Sequence, residues 1–159
     1  MIEGHTLHFA ILILIHTNWP ALHCFLWISL GTDKPECKCY KAIDDPTRYR
    51  AFKSGKYTND RYLPEGWYAF ITGKQMSTSC CLQPGNCNTY LQGWLTESHP
   101  TVDDGIVSRK VCFGYFSLFS FPCKYSIYIK VGNCGPFYVF KLKPTPRSRY
   151  YARYCTHEE

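Results

Sequence analysis

The sequence lacks three features that would point to a cytosolic metal protein, a membrane-spanning protein or a helical protein. None of its cysteines forms a Cys-x-x-Cys motif, the paired spacing that structural zinc sites commonly use. No apolar run reaches the roughly 20 uninterrupted residues of a transmembrane helix, and no convincing helical period extends beyond two turns. Ten cysteines in 159 residues, without zinc spacings, favour an oxidising compartment and a chain held together by disulfides.

The first 31 residues have the apolar character of an export signal. Two apolar runs, Leu7 to Ile15 and Ala21 to Leu30, flank a polar break that ends in Pro20, so neither spans a bilayer alone. The small residues before the polar segment that follows predict cleavage after Gly31. No Lys or Arg occurs before Lys34. Residues 1–31 are therefore either a signal peptide or a signal anchor, and membrane contact is expected only from an uncleaved anchor.

Removal of this leader would leave an odd number of cysteines. Cys24 would leave with it, so nine of the ten cysteines would remain. At least one of them would then be unpaired or linked to another chain. A disulfide-linked homodimer is one expected consequence.

Short aromatic and β-branched segments predict a β-rich fold, a small α+β fold at most, in one disulfide-stapled domain. The segment Gly66 to Ile71 is typical of a partly buried strand. Residues 125–131 and 137–142 are strongly β-forming and predict an antiparallel hairpin at about 125–142. Ser126 and Lys130 mark a polar face of the first strand. The alternating residues that should face the core are Tyr125, Ile127, Ile129 and Val131.

Two further segments carry structural predictions. Arg109 and Lys110 within Ile106 to Cys112 indicate an exposed edge strand, where charge discourages aggregation. Trp67 and Trp94 have apolar neighbours and are expected in or near the core.

The C-terminal segment interleaves basic side chains with Tyr150, Tyr151 and Tyr154. This pattern is typical of a surface that holds acidic sugars or phosphate. The alternative is a solvated last segment whose tyrosines pack. The basic residues of the candidate surface are Lys141, Lys143, Arg147, Arg149 and Arg153.

Several separated motifs, in order along the chain, carry a resemblance to a known family. They are Cys37 to Arg48, Gly66 to Phe70, Trp94-Leu95 with His99-Pro100, Gly105 to Cys112, Cys134 to Phe140, and Arg153-Tyr154-Cys155. Together they resemble the uromodulin-type eight-cysteine extracellular domain, which also occurs in the pancreatic secretory-granule membrane glycoprotein. The resemblance defines a cysteine-rich domain at residues 36–156.

The resemblance also implies disulfide pairings. Those pairs are Cys37 with Cys134, Cys87 with Cys155, and Cys112 with Cys123. Cys39, Cys80 and Cys81 are left over, and one of them is the expected free or intermolecular thiol. Two cysteines of the family are missing, because this chain has Asn59-Asp60-Arg61 and Tyr150 in their places. If those two family positions pair with each other, their joint absence removes one disulfide cleanly.

The function implied by the resemblance is that of a secreted, extracellular recognition or adhesion module that binds a protein or a glycan through loop surfaces. Uromodulin-like proteins present N-linked sugar to bacterial adhesins, but no Asn-x-Ser/Thr acceptor occurs here. Binding must therefore come from the protein surface. One alternative is a small secreted matrix protein crosslinked through an odd cysteine. Another is a host-defence peptide acting on anionic membranes. No nucleic-acid partner is expected.

Catalysis has one candidate, a Cys–His pair, because a thiolate nucleophile needs a nearby base. His99 is the only histidine between the leader and His157. No Asn or Asp can be tied to it as an orienting group. The sequence therefore predicts a protein that is not an enzyme and that has no cofactor.

Two acidic pairs have residue types that suit calcium ligands or general acids. Asp103-Asp104 precedes Gly105, and Asp44-Asp45 precedes Pro46, contexts that favour turns. A hard cation needs about six or more oxygen ligands, which neither pair supplies alone. We expect no metal site, and we expect Asp45 to accept hydrogen bonds from nearby backbone N–H groups.

Overall fold

The computed structural model describes residues 34–71, 74–118 and 122–158 of the chain. The chain divides into two compact units, Met1–Cys39 and Tyr40–Glu159. In the first unit, the described segment 34–39 contains a 3₁₀ turn at Pro35–Cys37. The predicted signal peptide or signal anchor at residues 1–31 lies outside the described residues.

The regular secondary structure of the second unit is mainly β-strand, which confirms the predicted β-rich fold class. In chain order, the strands are β1 (Lys41–Ile43), β2 (Gly66–Phe70), β3 (Lys74–Met76), β4 (Leu91–Leu95), β5 (Ile106–Gly114), β6 (Cys123–Asn133), β7 (Tyr138–Leu142), β8 (Ala152–Tyr154) and β9 (Thr156–Glu158). Two 3₁₀ turns, Pro46–Arg48 and Asn86–Asn88, are the helical elements among this unit's described residues.

One large sheet organises the unit. Its strand order is β1-β2-β7-β6-β5-β4-β8, and β3 pairs with β9 in a separate antiparallel ladder. The pairs β1–β2 and β4–β8 are parallel. All other neighbours in the sheet are antiparallel. The strand β8, close to the C-terminus, therefore completes the sheet beside β4.

The predicted hairpin is present as β6 and β7. Val131 lies opposite Phe140, and Asn133 lies opposite Tyr138. Ile129 and Val131 are 3% and 0% exposed, as the alternation predicted. Tyr125 is 39% exposed although it shares that face. The reason is that β7 covers β6 only from Lys130 onward, so the first half of β6 has β5 alone as its neighbour.

The edge-strand prediction for residues 106–112 is wrong, because β5 lies inside the sheet between β4 and β6. Its charged side chains still reach the surface. Arg109 donates from Nε to the carbonyl of Ser98 at 3.0 Å, and its guanidinium lies 3.6 Å from Glu97. Arg109 and Lys110 are successive strand residues, so they point to opposite faces of the sheet, and both are partly exposed.

The core has a large cluster of buried side chains and a smaller one formed by Cys81, Trp94 and Cys112. Its largest fully buried side chains are Tyr154, Phe113, Phe140, Met76, Leu91, Leu95 and Leu142. Trp94 is buried and Trp67 is half-buried, as expected. The packing is tight at Gly93 in β4. A Cβ there would lie 2.7 Å from the Phe113 ring and 2.8 Å from the Arg153 carbonyl oxygen.

Substitution of Gly93 by alanine should therefore destabilise the fold. We expect Gly93→Ala to lower the free energy of unfolding by about 1–3 kcal/mol, because the backbone of β8 must move away. Gly66→Ala is the matched control, since the added Cβ would meet its nearest neighbour, a Tyr68 ring carbon, at an ordinary 3.7 Å. Urea denaturation of the two variants measures the difference. Equal losses would contradict the close approach of β4 and β8.

Candidate functional site

A buried ion pair fixes the last residue of β8. Arg48, at the end of a 3₁₀ turn, donates two hydrogen bonds of 2.7 Å to the two carboxylate oxygens of Asp60. Both residues are buried, at 6% and 5% exposure. Asp60 also accepts from the Tyr154 amide at 2.9 Å, and Arg48 donates to the Tyr154 carbonyl at 3.1 Å. The pair therefore holds both polar backbone groups of one β8 residue.

Burial by itself would lower the pKa of Arg48, yet the hydrogen bonds and charge of Asp60 raise it above its ordinary value. The guanidinium is therefore charged at neutral pH. Bidentate geometry of this kind gives the strongest charge-assisted hydrogen bonds available to side chains. The ion pair thus acts as a permanent tie between residues 48, 60 and 154.

A second ion pair neutralises Arg153, which corrects one part of the predicted basic surface. Arg153 is 4% exposed and pairs with Asp45. It also donates to Thr47 Oγ1 at 2.9 Å and to the Cys87 carbonyl at 3.3 Å. Arg153 therefore cannot belong to a binding surface. The sequence pattern missed this because Asp45 lies 108 residues away.

Asp45 serves both this pair and the turn that follows it. It accepts from the Thr47 amide at 3.1 Å and from the Thr47 hydroxyl at 2.6 Å, as predicted for an aspartate in a turn. Burial would raise the pKa of Asp45, but the Thr47 hydrogen bond and the charges of Arg153 and Arg48 lower it. Asp45 is therefore a carboxylate anchor and not a catalytic acid.

Asp60 of the buried pair lies in the 59–61 segment, one of the two places where the resemblance implied a missing family cysteine. The Asp60 amide donates to the Ala152 carbonyl at 2.9 Å, and the Thr145 amide donates to the Asp60 carbonyl at 3.2 Å. Arg61 donates from Nη2 to the Ser148 carbonyl. Charge and hydrogen bonds therefore join the 59–61 segment to the 145–152 segment in this chain.

Loss of the Arg48–Asp60 ion pair should lower the free energy of unfolding far more than loss of a surface ion pair. Arg48→Ala leaves the Asp60 charge buried and unpaired, and we expect the free energy of unfolding to fall by about 3–5 kcal/mol. Arg109→Ala removes the pair with Glu97, whose side chain is half-exposed, and should cost less than about 1 kcal/mol. Chemical denaturation compares the two. A similar small effect of both variants would show that the buried pair is not a structural tie.

The 145–152 segment and the 59–62 segment enclose a cleft of about 400 Å³. A wider depression of about 610 Å³ adjoins it and shares five lining residues with it. We call the two together the arginine cleft. Its lining residues are Asn59, Arg61, Tyr62, Pro144, Thr145, Pro146, Arg147, Ser148, Arg149, Tyr150, Tyr151 and Ala152.

The charge of the arginine cleft has one sign. Arg61, Arg147 and Arg149 line it, all three are exposed, and no Asp or Glu is among its lining residues. Arg147 and Arg149 belong to the predicted basic surface. The other predicted members, Lys141 and Lys143, do not line the cleft. Lys141 lies on β7, where its sheet neighbours are Trp67 and Lys130.

Tyrosines give the cleft both a packed wall and free ring faces. Tyr150 stacks on Tyr90 with ring centroids 4.5 Å apart, and the Arg149 guanidinium lies 4.9 Å from the centroid of the Tyr150 ring. Tyr62 and Tyr151 remain 83% and 47% exposed. The packing of tyrosines, the second alternative for this segment, therefore applies to Tyr150, and the binding surface stays a prediction. Tyr150 packs, while Tyr62, Tyr151 and the arginines face solvent.

Arg61 and Tyr62 are the cleft residues that the sequence did not predict. In the sequence, the 59–61 segment stands out only as the place of a missing cysteine. A basic and an aromatic residue side by side give a weak local signal, but their position beside residues 145–151 depends on a contact across more than 80 positions. Only the fold brings them together.

The cysteines divide into bonded and free groups. The structure joins Cys87 to Cys155 and Cys112 to Cys123, two of the three pairs that the resemblance implied. Cys37, Cys39 and Cys134 are disulfide-bonded, which corrects the expectation that Cys39 is left over. The pairing of Cys37 with Cys134 stays a prediction. Cys80 and Cys81 are free, the first exposed and the second buried.

His99, the catalytic candidate, lies in an aromatic setting. Its ring centroid is 4.5 Å from that of Tyr138, 6.0 Å from that of Phe140 and 6.3 Å from that of His157. Burial, followed by the charge of His157, lowers the pKa of His99 to about 4. The imidazole is therefore neutral and packed at neutral pH, as expected for a structural histidine.

The burial of His99 makes stability depend on pH. The unfolded chain takes up a proton near the ordinary histidine pKa of about 6.5, whereas the folded chain resists protonation down to about pH 4. The stabilisation that comes from the neutral His99 is complete above about pH 6.5 and is lost as the pH falls toward about 4. We expect a loss of about 1–3 kcal/mol over this range, measured by urea denaturation.

His99→Gln should flatten that dependence between pH 6.5 and 4. Asp104→Asn is the control. The Thr101 amide donates to Asp104 at 2.7 Å, as expected for the predicted turn, and holds the pKa of that carboxyl below its ordinary value. Its titration therefore lies below the tested range. A wild-type stability that is flat from pH 7 to 4 would contradict the burial of a neutral His99.

Comparison with known proteins identifies the family of this chain. The family model of the uromodulin-like domain matches residues 68–156. The pancreatic secretory granule membrane major glycoprotein GP2 of Rattus norvegicus is 31% identical over 130 residues, which cover 80% of this chain and 24% of that protein. Uromodulin of Mus musculus is 33% identical over 122 residues, which cover 76% of this chain and 18% of that protein.

The fold and the cysteines define a disulfide-bonded β domain of extracellular type. The matches make this more specific, and the chain belongs to the uromodulin-like domain family. The predicted family is thereby confirmed. The chain spans about a quarter or less of the length of these relatives.

Membrane-spanning helices and metal-ligand clusters are both missing from the described ranges. Within residues 34–71, 74–118 and 122–158, no helix is long and apolar enough to cross a membrane. The same ranges contain no group of three or more His, Cys, Asp or Glu side chains placed to hold a metal ion.

Proposed function

We propose that this chain is a secreted, extracellular recognition module that binds an acidic carbohydrate in the arginine cleft. The observation that carries the proposal is the one-signed lining, with three exposed arginines and no carboxylate. A ligand with carboxylate or sulfate groups complements that charge. Family membership supports an extracellular setting for it.

The chemistry of the lining suits a sugar more than a compact anion. Planar guanidinium groups form paired hydrogen bonds to carboxylate-like oxygens. The exposed ring of Tyr62, and the part of the Tyr151 ring that its stacking on Tyr57 leaves exposed, provide apolar surface against which the C–H face of a sugar ring can pack. A volume of about 400 Å³ also lies within the range of small-molecule sites.

The same lining supports binding without chemical conversion of the ligand. Glycoside hydrolysis generally needs a pair of carboxyl groups across the bond that is cleaved. Asp, Glu, His and Cys are all missing from the residues that line the cleft. We therefore propose that the bound carbohydrate is recognised and released unchanged.

Isothermal titration with three polysaccharides tests the proposal. Heparin carries sulfate, hyaluronan carries carboxylate and dextran is neutral. We expect binding to at least one of the two acidic polymers, weaker binding at higher salt because exposed charges are screened, and none to dextran. Equal binding to dextran, or no binding to either acidic polymer, would overturn the proposal.

Variants locate the binding on the surface. Arg147→Gln combined with Arg149→Gln should weaken binding at least about tenfold, because about 1.4 kcal/mol of lost charged contacts corresponds to that factor. Lys130→Gln combined with Lys110→Gln removes the same charge from β6 and β5, outside the cleft lining. An equal loss in both double variants would show nonspecific attraction to a basic protein. Binding to anionic lipid vesicles in place of both acidic polymers would instead favour membrane action.

A further inference from the structure

Two adjacent cysteines lie outside both the arginine cleft and the two assigned disulfides. The Sγ atoms of Cys80 and Cys81 are 2.8 Å apart. Cys80 is exposed and Cys81 is 8% exposed, so one thiol meets solvent and the other faces the interior. Cys81 packs with Trp94 and with the Cys112–Cys123 disulfide. A pair of thiols is therefore held at the boundary between the core and solvent.

The backbone on either side of the pair is anchored. Gln92, which is 2% exposed, accepts from the Leu82 amide at 2.8 Å and donates to the Leu82 carbonyl at 3.1 Å. Arg50 donates from Nη2 to the Cys80 carbonyl at 3.0 Å. On the N-terminal side, the Ser77 hydroxyl bonds to the Ser79 carbonyl at 3.1 Å. The closeness of the two sulfurs is thus supported by several contacts.

We propose that Cys80 and Cys81 form a redox-modifiable dithiol, which a small disulfide such as oxidised glutathione converts into a disulfide between adjacent residues. The Cys80 thiolate attacks one sulfur of the small disulfide, whose S–S bond breaks and releases one thiolate. Cys81 then gives up its proton and attacks the Cys80 sulfur, which releases the second thiolate. The two cysteine protons end on the two released thiols, so two cysteine thiols are oxidised and one small disulfide is reduced.

The structure also sets the order of the two attacks. Burial, followed by the hydrogen bond with Cys80, raises the pKa of Cys81 to about 12. The reactive species in thiol–disulfide exchange is the thiolate, and it must also reach the oxidant. Exposed Cys80 therefore reacts first, and Cys81 resolves the mixed disulfide.

Proximity favours closure within the chain over a crosslink to a second chain. The resolving thiol is already in contact with the sulfur that it attacks. A reaction between positioned groups proceeds as if its partner were at a concentration that no second chain attains in solution. The proposal therefore argues against a matrix protein crosslinked through Cys80.

Intact mass of the full chain, incubated with oxidised glutathione, tests the proposal. Wild type should lose two hydrogens with no glutathione attached, and both thiols should stop reacting with N-ethylmaleimide together. Cys81→Ser should keep one glutathione on Cys80, because the resolving thiol is gone. Cys80→Ser should react at least about tenfold more slowly, since its remaining thiol is buried and protonated.

A dithiol reagent gives a second readout that does not depend on oxidation. Phenylarsine oxide bonds to two thiols at once and releases water. It should stay on reduced wild type in the presence of excess glutathione and should leave both single variants. Near-ultraviolet circular dichroism checks that the variants are folded. If a variant does not fold, retention of the arsenical by wild type alone still tests the distance between the thiols.

Three results would overturn the proposal. One is a stable glutathione adduct on wild type, which would show that Cys81 cannot resolve it. Another is a disulfide-linked dimer as the main oxidised product on a non-reducing gel. The third is peptide mapping that finds Cys80 or Cys81 joined to Cys112 or Cys123, which would show exchange with the neighbouring disulfide.

Discussion

The buried ion pair between Arg48 and Asp60 is the interaction on which the C-terminal part of the fold depends. It bonds to both backbone groups of Tyr154, and so positions β8 at the edge of the sheet beside β4. Two charges out of water are stable only when their hydrogen bonds are nearly complete. The pair is therefore an obligate unit, because either partner alone would leave a charge in the core. Displacement of β8 would also move Ala152, which lines the arginine cleft.

This domain is stabilised near its C-terminus by both a disulfide and a buried ion pair. The Cys87–Cys155 disulfide fixes Cys155, which follows β8, and the Arg48–Asp60 pair fixes Tyr154, the last residue of β8. The covalent tie constrains the unfolded chain over a separation of 68 residues, whereas the ionic tie acts only in the folded state. Reduction therefore removes the first and leaves the second. This combination is consistent with the loss of two family cysteines, since the 59–61 and 145–152 segments are still joined by hydrogen bonds.

The sequence was sufficient for elements that depend on local pattern and insufficient for those that depend on distant pairing. The strand Gly66–Phe70 and the β6–β7 hairpin follow from β-forming residues in short runs with turn residues between them. The order of strands does not, and β5 consequently looked like an edge although it is central. Arg153 shows the same limit of prediction from sequence at a single position. Its neighbours in sequence are basic and aromatic, but its counter-charge, Asp45, comes from the other end of the domain.

The difference between buried, paired arginines and exposed ones also explains the charge of the candidate site. Arg48 and Arg153 are neutralised in the interior by Asp60 and Asp45, so they contribute little to the field outside the protein. Among the ion pairs of the described ranges, none involves an arginine of the cleft. Arg61, Arg147 and Arg149 therefore form a group of positive charges that lies beside a wall of packed tyrosines. Such a low-dielectric wall directs the field into the cleft and strengthens attraction for an acidic ligand at that point. Asp45 and Asp60 pair with arginines inside the fold. They therefore do not offset the positive charge of the neighbouring surface.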